Sequence, residues 1–276
     1  MHGVGGLQRP RRLIAFLTDF GWRDPYVGIV KGVIDRLSRG KVRVIDITHD
    51  VPSFSIVAGA YVLYTSYKYF PPGTVFLVVV DPGVGTERRA VAIRTERYFF
   101  VGPDNGVLYP AAAEDGILEA RVVSNEAVFL KPVSRSFHGR DIFAPAATLV
   151  AMGVDIAALG PRLEPDELVK LSLREECRAE RVRARVVYID HFGNVALGLR
   201  EECVANLCAK GHVEVRAGEK LFSAKCLPVF SLAEKGELVF YVNSLGFPEL
   251  AVNLGNASSL LRVGIGDEVE LARPSS

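Results

Sequence analysis

The run Val75-Phe-Leu-Val-Val-Val80 is apolar at every position and lies between Gly73-Thr74 and Asp81-Pro82-Gly83. A strand with one wet face alternates polar and apolar residues. One that is apolar throughout is covered on both faces, as in a parallel sheet with helices above and below. The segments before it fit that demand. Leu13–Leu17 reads as a strand ending at Thr18-Asp19, and Val42–Ile47 as a second, ending in Asp46 and Thr48-His49-Asp50. Between them Arg23–Arg39 carries Val27, Val30, Ile34 and Leu37 at helical spacing, with Asp24-Pro25 as a start and Gly40 as a stop. A further helix is predicted from about Ser55 to Tyr69, closed by Pro71-Pro72-Gly73. The first half is therefore α/β. In open sheets of this kind ligands bind beyond the carboxyl ends of the strands, and here those ends carry Asp19, Asp46 and Asp81.

Val91–Arg94 and Tyr98–Val101 read as a hairpin, "GPDNGVLYP" as a turn-rich loop, and Asp141–Met152 as helical despite Pro145. From Val182 the pattern changes to short alternating strands, "VRARVVYID", "GNVALGL", "HVEVRA", "GELVFYVN" and "DEVELA", separated by turn residues. A second, all-β domain follows. The expected organisation is a flexible tail over residues 1–12, an α/β domain over 13–165, a charged linker over 166–181 and a β domain over 182–276.

Lysine and arginine number 33 against 32 acids, so no global field steers the chain to nucleic acid or an anionic membrane, and small molecules are the expected partners. No apolar stretch approaches the roughly 20 residues that span a bilayer, and "LIAFL" is too short for a signal-peptide core. A soluble cytoplasmic protein is expected. Cys177, Cys203, Cys208 and Cys226 show no Cys-x-x-Cys spacing, which favours buried thiols over one or two disulfides, and the histidines do not fall at metal-ligand spacing. No metal or cofactor is expected.

Four clusters could carry chemistry. "DPGVGTERRA" (81–90) follows a strand as a phosphate loop would, but Arg88 stands where a dinucleotide fingerprint needs glycine, and no Gly-Lys-Ser/Thr follows. A tight turn is the plain alternative. "SFHGRD" (136–141) puts His138 before a predicted helix start, where backbone amides and Arg140 would hold an imidazole neutral. If the two loops meet, an acid, an arginine and a histidine converge and could hold and polarise a water. "DHFGN" (190–194) reads either as a strand-ending turn or as a polar cup in which Asp190 and Asn194 flank a ligand and Phe192 packs on its flat face. Asn243-Ser-Leu-Gly246, followed by "ELAVN" (249–253), reads first as a hairpin tip.

These clusters, together with "TDFG" (18–21) and "THDV" (48–51), occur in an order that resembles the S-adenosylmethionine hydroxide adenosyltransferases, relatives of the fluorinating and chlorinating enzymes that use the same substrate. The resemblance runs from about Leu13 to Leu271. It implies a Rossmann-like three-layer N-terminal domain followed by a smaller β-barrel, a homotrimer with sites between the N-terminal domain of one subunit and the C-terminal domain of the next, and hydrolysis of S-adenosylmethionine to adenosine and L-methionine. By resemblance Asp81, Arg88 and His138 form the catalytic set, and Asp19 and Asp81 lie near the ribose hydroxyls. It also implies that Asn194, Ser244, Glu249 and Val252 contact the nucleoside or methionine part, with Asp190 near the amino group. Halide transfer would want a small dry pocket of hydroxyl and amide donors, whereas His138 with Arg88 suits water. A non-catalytic adenosyl sensor is the alternative from another class.

Overall fold

The computed structural model describes residues 9–177 and 181–274, so most of the expected tail and residues 178–180 of the expected linker lie outside the described residues. The chain divides into two compact units, with the division at Leu171/Ser172.

The first unit is a seven-stranded sheet. In chain order it comprises β1 (Leu13–Thr18), α1 (Tyr26–Ser38), β2 (Arg43–Thr48), α2 (Ile56–Ser66), β3 (Val75–Val79), β4 (Ala90–Thr95), β5 (Phe99–Pro103), α3 (Tyr109–Glu114), β6 (Ile117–Val122), α4 (Ala144–Ala151) and β7 (Arg162–Leu163). The strand order is β2-β1-β3-β5-β4-β6-β7. β2, β1, β3 and β5 run parallel, while β4, β6 and β7 add antiparallel at one side. β3 lies between β1 and β5 and is fully buried, which is why its sequence does not alternate.

The faces sort by parity. Val75, Leu77 and Val79 pack with Ile14, Phe16, Val30, Ile34 and the α4 residues Ala147 and Val150. On the other face Phe76 meets Phe70, Tyr98 and Phe100, and α2 packs close: a Cβ on Gly59 would lie only 3.0 Å from Val80. The result is three layers, helix on sheet on helix. Leu37, expected in the buried stripe of α1, is exposed, because Val33 and Ile34 complete the face that meets the sheet.

β1 leads to β2 on one side and then, through α2, to β3 on the other. The carboxyl ends of β1 and β3 thus flank a topological switch point, where open α/β sheets leave a crevice.

The second unit is a closed barrel of order β10-β11-β12-β13-β9-β8-β14. Its elements are β8 (Arg181–Ile189), β9 (Val195–Leu197), α5 (Glu202–Leu207), β10 (His212–Ala217), β11 (Lys220–Cys226), β12 (Leu238–Val242), β13 (Pro248–Val252), α6 (Ala257–Leu261) and β14 (Glu268–Ala272). Closure by β10 on β14 removes the open edge. Val186, Leu197, Val215, Phe240, Leu250 and Leu271 fill the interior.

The expectation of buried thiols is overturned. Cys177 pairs with Cys203 and Cys208 with Cys226, leaving no free cysteine. The reason is the short helix α5, whose two ends carry Cys203 and Cys208 to partners that linear spacing does not reveal.

Candidate functional site

The segment after β3 turns sharply. Val84 N–H donates to the Asp81 carbonyl and Thr86 N–H to that of Gly83. Gly85 has φ +78°, and a Cβ there would stand 2.3 Å from the carbonyl oxygen of Arg135, so glycine is required by conformation and by space. That contact seats the 81–90 loop directly on the loop leading to His138.

The turn folds Arg88 back onto Asp81. Arg88 Nε donates to Asp81 Oδ1 at 2.9 Å and Nη2 donates to Oδ2, a two-pronged pair with both side chains nearly buried. The guanidinium also lies 5.0 Å over the ring of Phe143. From there Nη2 reaches His138 Nδ1 at 2.9 Å. An arginine can only donate, so Nδ1 is the acceptor and a neutral ring carries its proton on Nε2.

Burial first, and then the charge of Arg88, hold the His138 imidazole below the ordinary histidine range; Asp81 and Asp141 oppose this. The cation that keeps the ring neutral is therefore Arg88 rather than Arg140. Arg140 is paired with the fully buried Asp141, whose Oδ2 also accepts the Ser134 N–H. The chain from Gly139 to Phe143 forms a wide π turn before α4, a local irregularity that proteins often keep at functional positions.

Asp81 and His138 line a cleft of about 560 Å³ together with Asp19, Phe20, Tyr26 and Phe54. It opens at the switch point between β1 and β3. Asp19 Oδ2 accepts the backbone N–H of Phe54 at 2.8 Å, and Phe54 is held at φ +65°. Burial raises the Asp19 carboxyl above the usual carboxylate range, with Asp81 adding to the effect and the backbone N–H groups opposing it. Phe137 packs edge to face with both Phe20 and Tyr26, which are tilted against each other, along one wall. A second cleft, about 480 Å³ beside α1 and Leu130–Pro132, contains none of Asp81, Arg88 and His138.

The structure thus brings together Asp19, Asp81, Arg88 and His138. Sequence reasoning did not single out Phe20, Tyr26 and Phe54. Large aromatics beside acid-terminated strands were the available signal for the first two, whereas the left-handed backbone of Phe54 leaves no trace in composition.

The remaining predicted positions lie in the barrel unit. Asp190 Oδ1 accepts the backbone N–H groups of Phe192 and Asn194, and Oδ2 accepts the Asn194 amide, all at 2.9 Å. The "DHFGN" loop is thus closed on its own carboxylate, with Phe192 projecting into solvent. Ser244 is exposed in the turn between β12 and β13. Glu249 is buried, accepts from Tyr241 Oη and from Asn243 Nδ2, and has its carboxyl raised, by burial first and by Asp190 last. Val252 is buried and packs in the barrel core.

Two family models match: the S-adenosylmethionine hydroxide adenosyltransferase N-terminal domain over residues 14–160 and the C-terminal domain over 184–270. The chain belongs to this family. A Salinispora tropica protein named (R)-S-adenosyl-L-methionine hydrolase is 41% identical over 266 residues, covering 95% of this chain and 98% of that protein. A solved structure of an uncharacterized conserved protein from Thermotoga maritima is 42% identical with TM-score 0.84, covering 94% of this chain and all of that one. More distantly, a fluorinase of Nocardia brasiliensis is 30% identical over 296 residues, covering 95% of this chain and 97% of that enzyme. The family membership is consistent with the three-layer and barrel folds described above.

Proposed function

We propose that this chain hydrolyses S-adenosyl-L-methionine to adenosine and L-methionine. The observation that carries the reading is the hydrogen-bonded Asp81–Arg88–His138 array, whose Asp81 and His138 line the cleft at the sheet's switch point, in a member of the hydroxide adenosyltransferase family. Attack on ribose C5′ forms a carbon–oxygen bond and breaks the carbon–sulfur bond, whose electron pair stays on sulfur. The leaving group is a neutral thioether, so no general acid is needed. The demand falls on the nucleophile, a water that must be oriented and moved towards hydroxide.

With Nδ1 filled by Arg88, His138 offers an Nε2–H rather than a free lone pair. We therefore read His138 and Arg88 as donors that stabilise negative charge on the attacking oxygen, whose proton passes to solvent, and Asp81 as the group that orients Arg88. A general-base role would require Arg88 to withdraw from Nδ1. Asp19 is read as a ribose-hydroxyl acceptor, and Asp190, Phe192, Asn194, Ser244, Glu249 and Val252 as nucleoside and methionine contacts. No cofactor is part of this reading.

A homotrimer and a cytoplasmic location complete the proposal. Sedimentation equilibrium tests the first. For the second, alkylating thiols at the moment of cell lysis would report whether the disulfides exist in place. No helix among the described residues is long and apolar enough to cross a membrane.

Incubation of purified protein with S-adenosylmethionine, with and without chloride, followed by mass spectrometry of the nucleosides, tests the activity. Adenosine is expected in both. 5′-Chloro-5′-deoxyadenosine as the main product would replace hydrolysis with halide transfer, and binding without turnover would favour a sensor.

A further inference from the structure

The "TDFG" and "THDV" motifs are joined by a chain of side-chain hydrogen bonds, buried at Thr18 and His49 and half-buried at Asp46 and Lys31, whose members do not line the cleft. Thr18 and His49 are both fully buried, and Thr18 Oγ1 lies 2.7 Å from His49 Nδ1. His49 Nε2 is 3.0 Å from Asp46 Oδ1, and Asp46 Oδ2 receives the Lys31 ammonium at 2.8 Å.

The direction of every bond can be assigned. The Phe20 backbone N–H can only donate, and it does so to Thr18 Oγ1 at 3.2 Å. A hydroxyl oxygen can accept twice, so it is the carboxylate that fixes the tautomer: Asp46 can only accept, the single proton of a neutral His49 ring therefore sits on Nε2, and Nδ1 accepts the Thr18 hydroxyl hydrogen. Burial holds His49 below the ordinary histidine range, although Asp46 opposes this, which agrees with a neutral ring. The ring is also fixed sideways, edge to face with Phe16 at 4.7 Å and Trp22 at 4.8 Å.

Two backbone bonds run in parallel. Gly21 N–H donates to the His49 carbonyl at 2.7 Å, and Val51 N–H to that of Thr18 at 3.4 Å. Residues 18–21 are therefore laced to residues 46–51 on both sides of Asp19. Asp19 itself is the only member of that loop whose carboxylate faces the cleft opposite Asp81.

We propose that His49 is a positioning residue: acting through the Thr18 hydroxyl, it fixes the loop that aims Asp19 into the substrate cleft. The inference rests on the reading of Asp19 as a substrate-binding carboxylate. His49 touches no substrate. Its loss should weaken substrate binding more than it slows the bond-making step, because Asp81, Arg88 and His138 belong to other loops.

The experiment is steady-state kinetics on His49→Gln, His49→Asn, Thr18→Val, Thr18→Ser and the Thr18→Val/His49→Gln double variant, with wild type in parallel. Gln can keep the bond to Asp46 but offers Thr18 no acceptor, and Asn places a carboxamide oxygen where Nδ1 stood. Thr18→Val and His49→Gln are expected to raise KM about tenfold with a much smaller change in kcat, the scale of one lost buried hydrogen bond. His49→Asn and Thr18→Ser should stay near wild type, and the double variant should equal the worse single one.

Multiplying losses in the double variant, or equal KM for Thr18→Val and Thr18→Ser, would overturn the proposal. The two threonine variants decide the matter if His49→Gln does not fold. Wild-type protein that releases no adenosine would remove the functional reading itself, and this inference with it, an outcome distinct from active wild type with unaffected variants.

Discussion

Arg88 and His138, 50 residues apart in sequence, are joined by a 2.9 Å hydrogen bond from the guanidinium Nη2 to the imidazole Nδ1. The same guanidinium is gripped on its other edge by Asp81. One planar group thus holds an acid on one edge and sets the tautomer of a histidine on the other.

Replacing Arg88 by Lys keeps the charge but loses the fork that serves Asp81 and His138 at once. The expected result is a fall in kcat of about 10²–10³-fold, the scale of removing one preorganised donor that helps to form and position the attacking hydroxide. KM should change far less, since Asp19 and the aromatic wall remain. Steady-state kinetics on Arg88→Lys measures both, and a kcat near that of wild type would remove Arg88 from the chemistry.

The pH dependence follows from the same bond. Burial and Arg88 both disfavour the charged imidazolium, so the His138 pKa lies below 6.5. Protonation would put a second donor at Nδ1 facing Arg88. Activity should therefore be insensitive to His138 above pH 6.5 and fall on the acid side only below it. Stability has the same sign: between the lowered value and 6.5 the unfolded chain binds the proton more readily, so acidification across that window favours unfolding. An NMR titration of His138 should show the lowered pKa, and Arg88→Met should move it upward. An unchanged titration in that variant would disprove the assignment to Arg88.

Much of this geometry was legible in the sequence. An apolar run such as Val75–Val80 has few places to go other than the middle of a parallel sheet, and the acids that end β1 and β3 had to emerge at its carboxyl edge. The closeness of Arg88 to His138 was harder to read, because it depends on Gly85 packing against the Arg135 carbonyl, a contact between loops that no periodicity encodes. β11 and β13 were missed for a related reason. "KLFSAKC" mixes charge with apolar residues, and "PELAV" begins with proline, which reads as a strand only once β12 has paired with it. The disulfides depended on α5, a six-residue helix too short to show a hydrophobic stripe.

Gly85→Ala tests whether that inter-loop contact builds the array. The new methyl group would meet the Arg135 carbonyl in a backbone conformation already unfavourable for alanine. A destabilisation of about 1–3 kcal/mol is expected from strain of this kind, together with loss of turnover as the Arg88 and His138 loops part. Gly218→Ala is the control: Gly218 also has positive φ, but nothing lies within 4 Å of its Cβ position. It should cost about 1–2 kcal/mol at most and leave turnover intact. Equal activity in the two variants would show that the contact at Gly85 is incidental.

The disulfides predict a stability effect confined to one unit. Cys177–Cys203 and Cys208–Cys226 close loops of sequence separation 26 and 18, and all four cysteines lie in the barrel unit. Each closure removes freedom from the unfolded chain, worth roughly 3 kcal/mol by the loop-entropy relation. Both bridges hold α5, at its first turn and at its end, so reduction should release that helix first. Hydrogen exchange followed by mass spectrometry, with and without reductant, should show faster exchange across α5 and β8–β14 and little change in β1–β6. Titration of the unfolded, unreduced protein with a thiol reagent should find no free thiol. Four reactive thiols, or exchange that accelerates equally in the sheet unit, would show that the bridges do not secure the barrel.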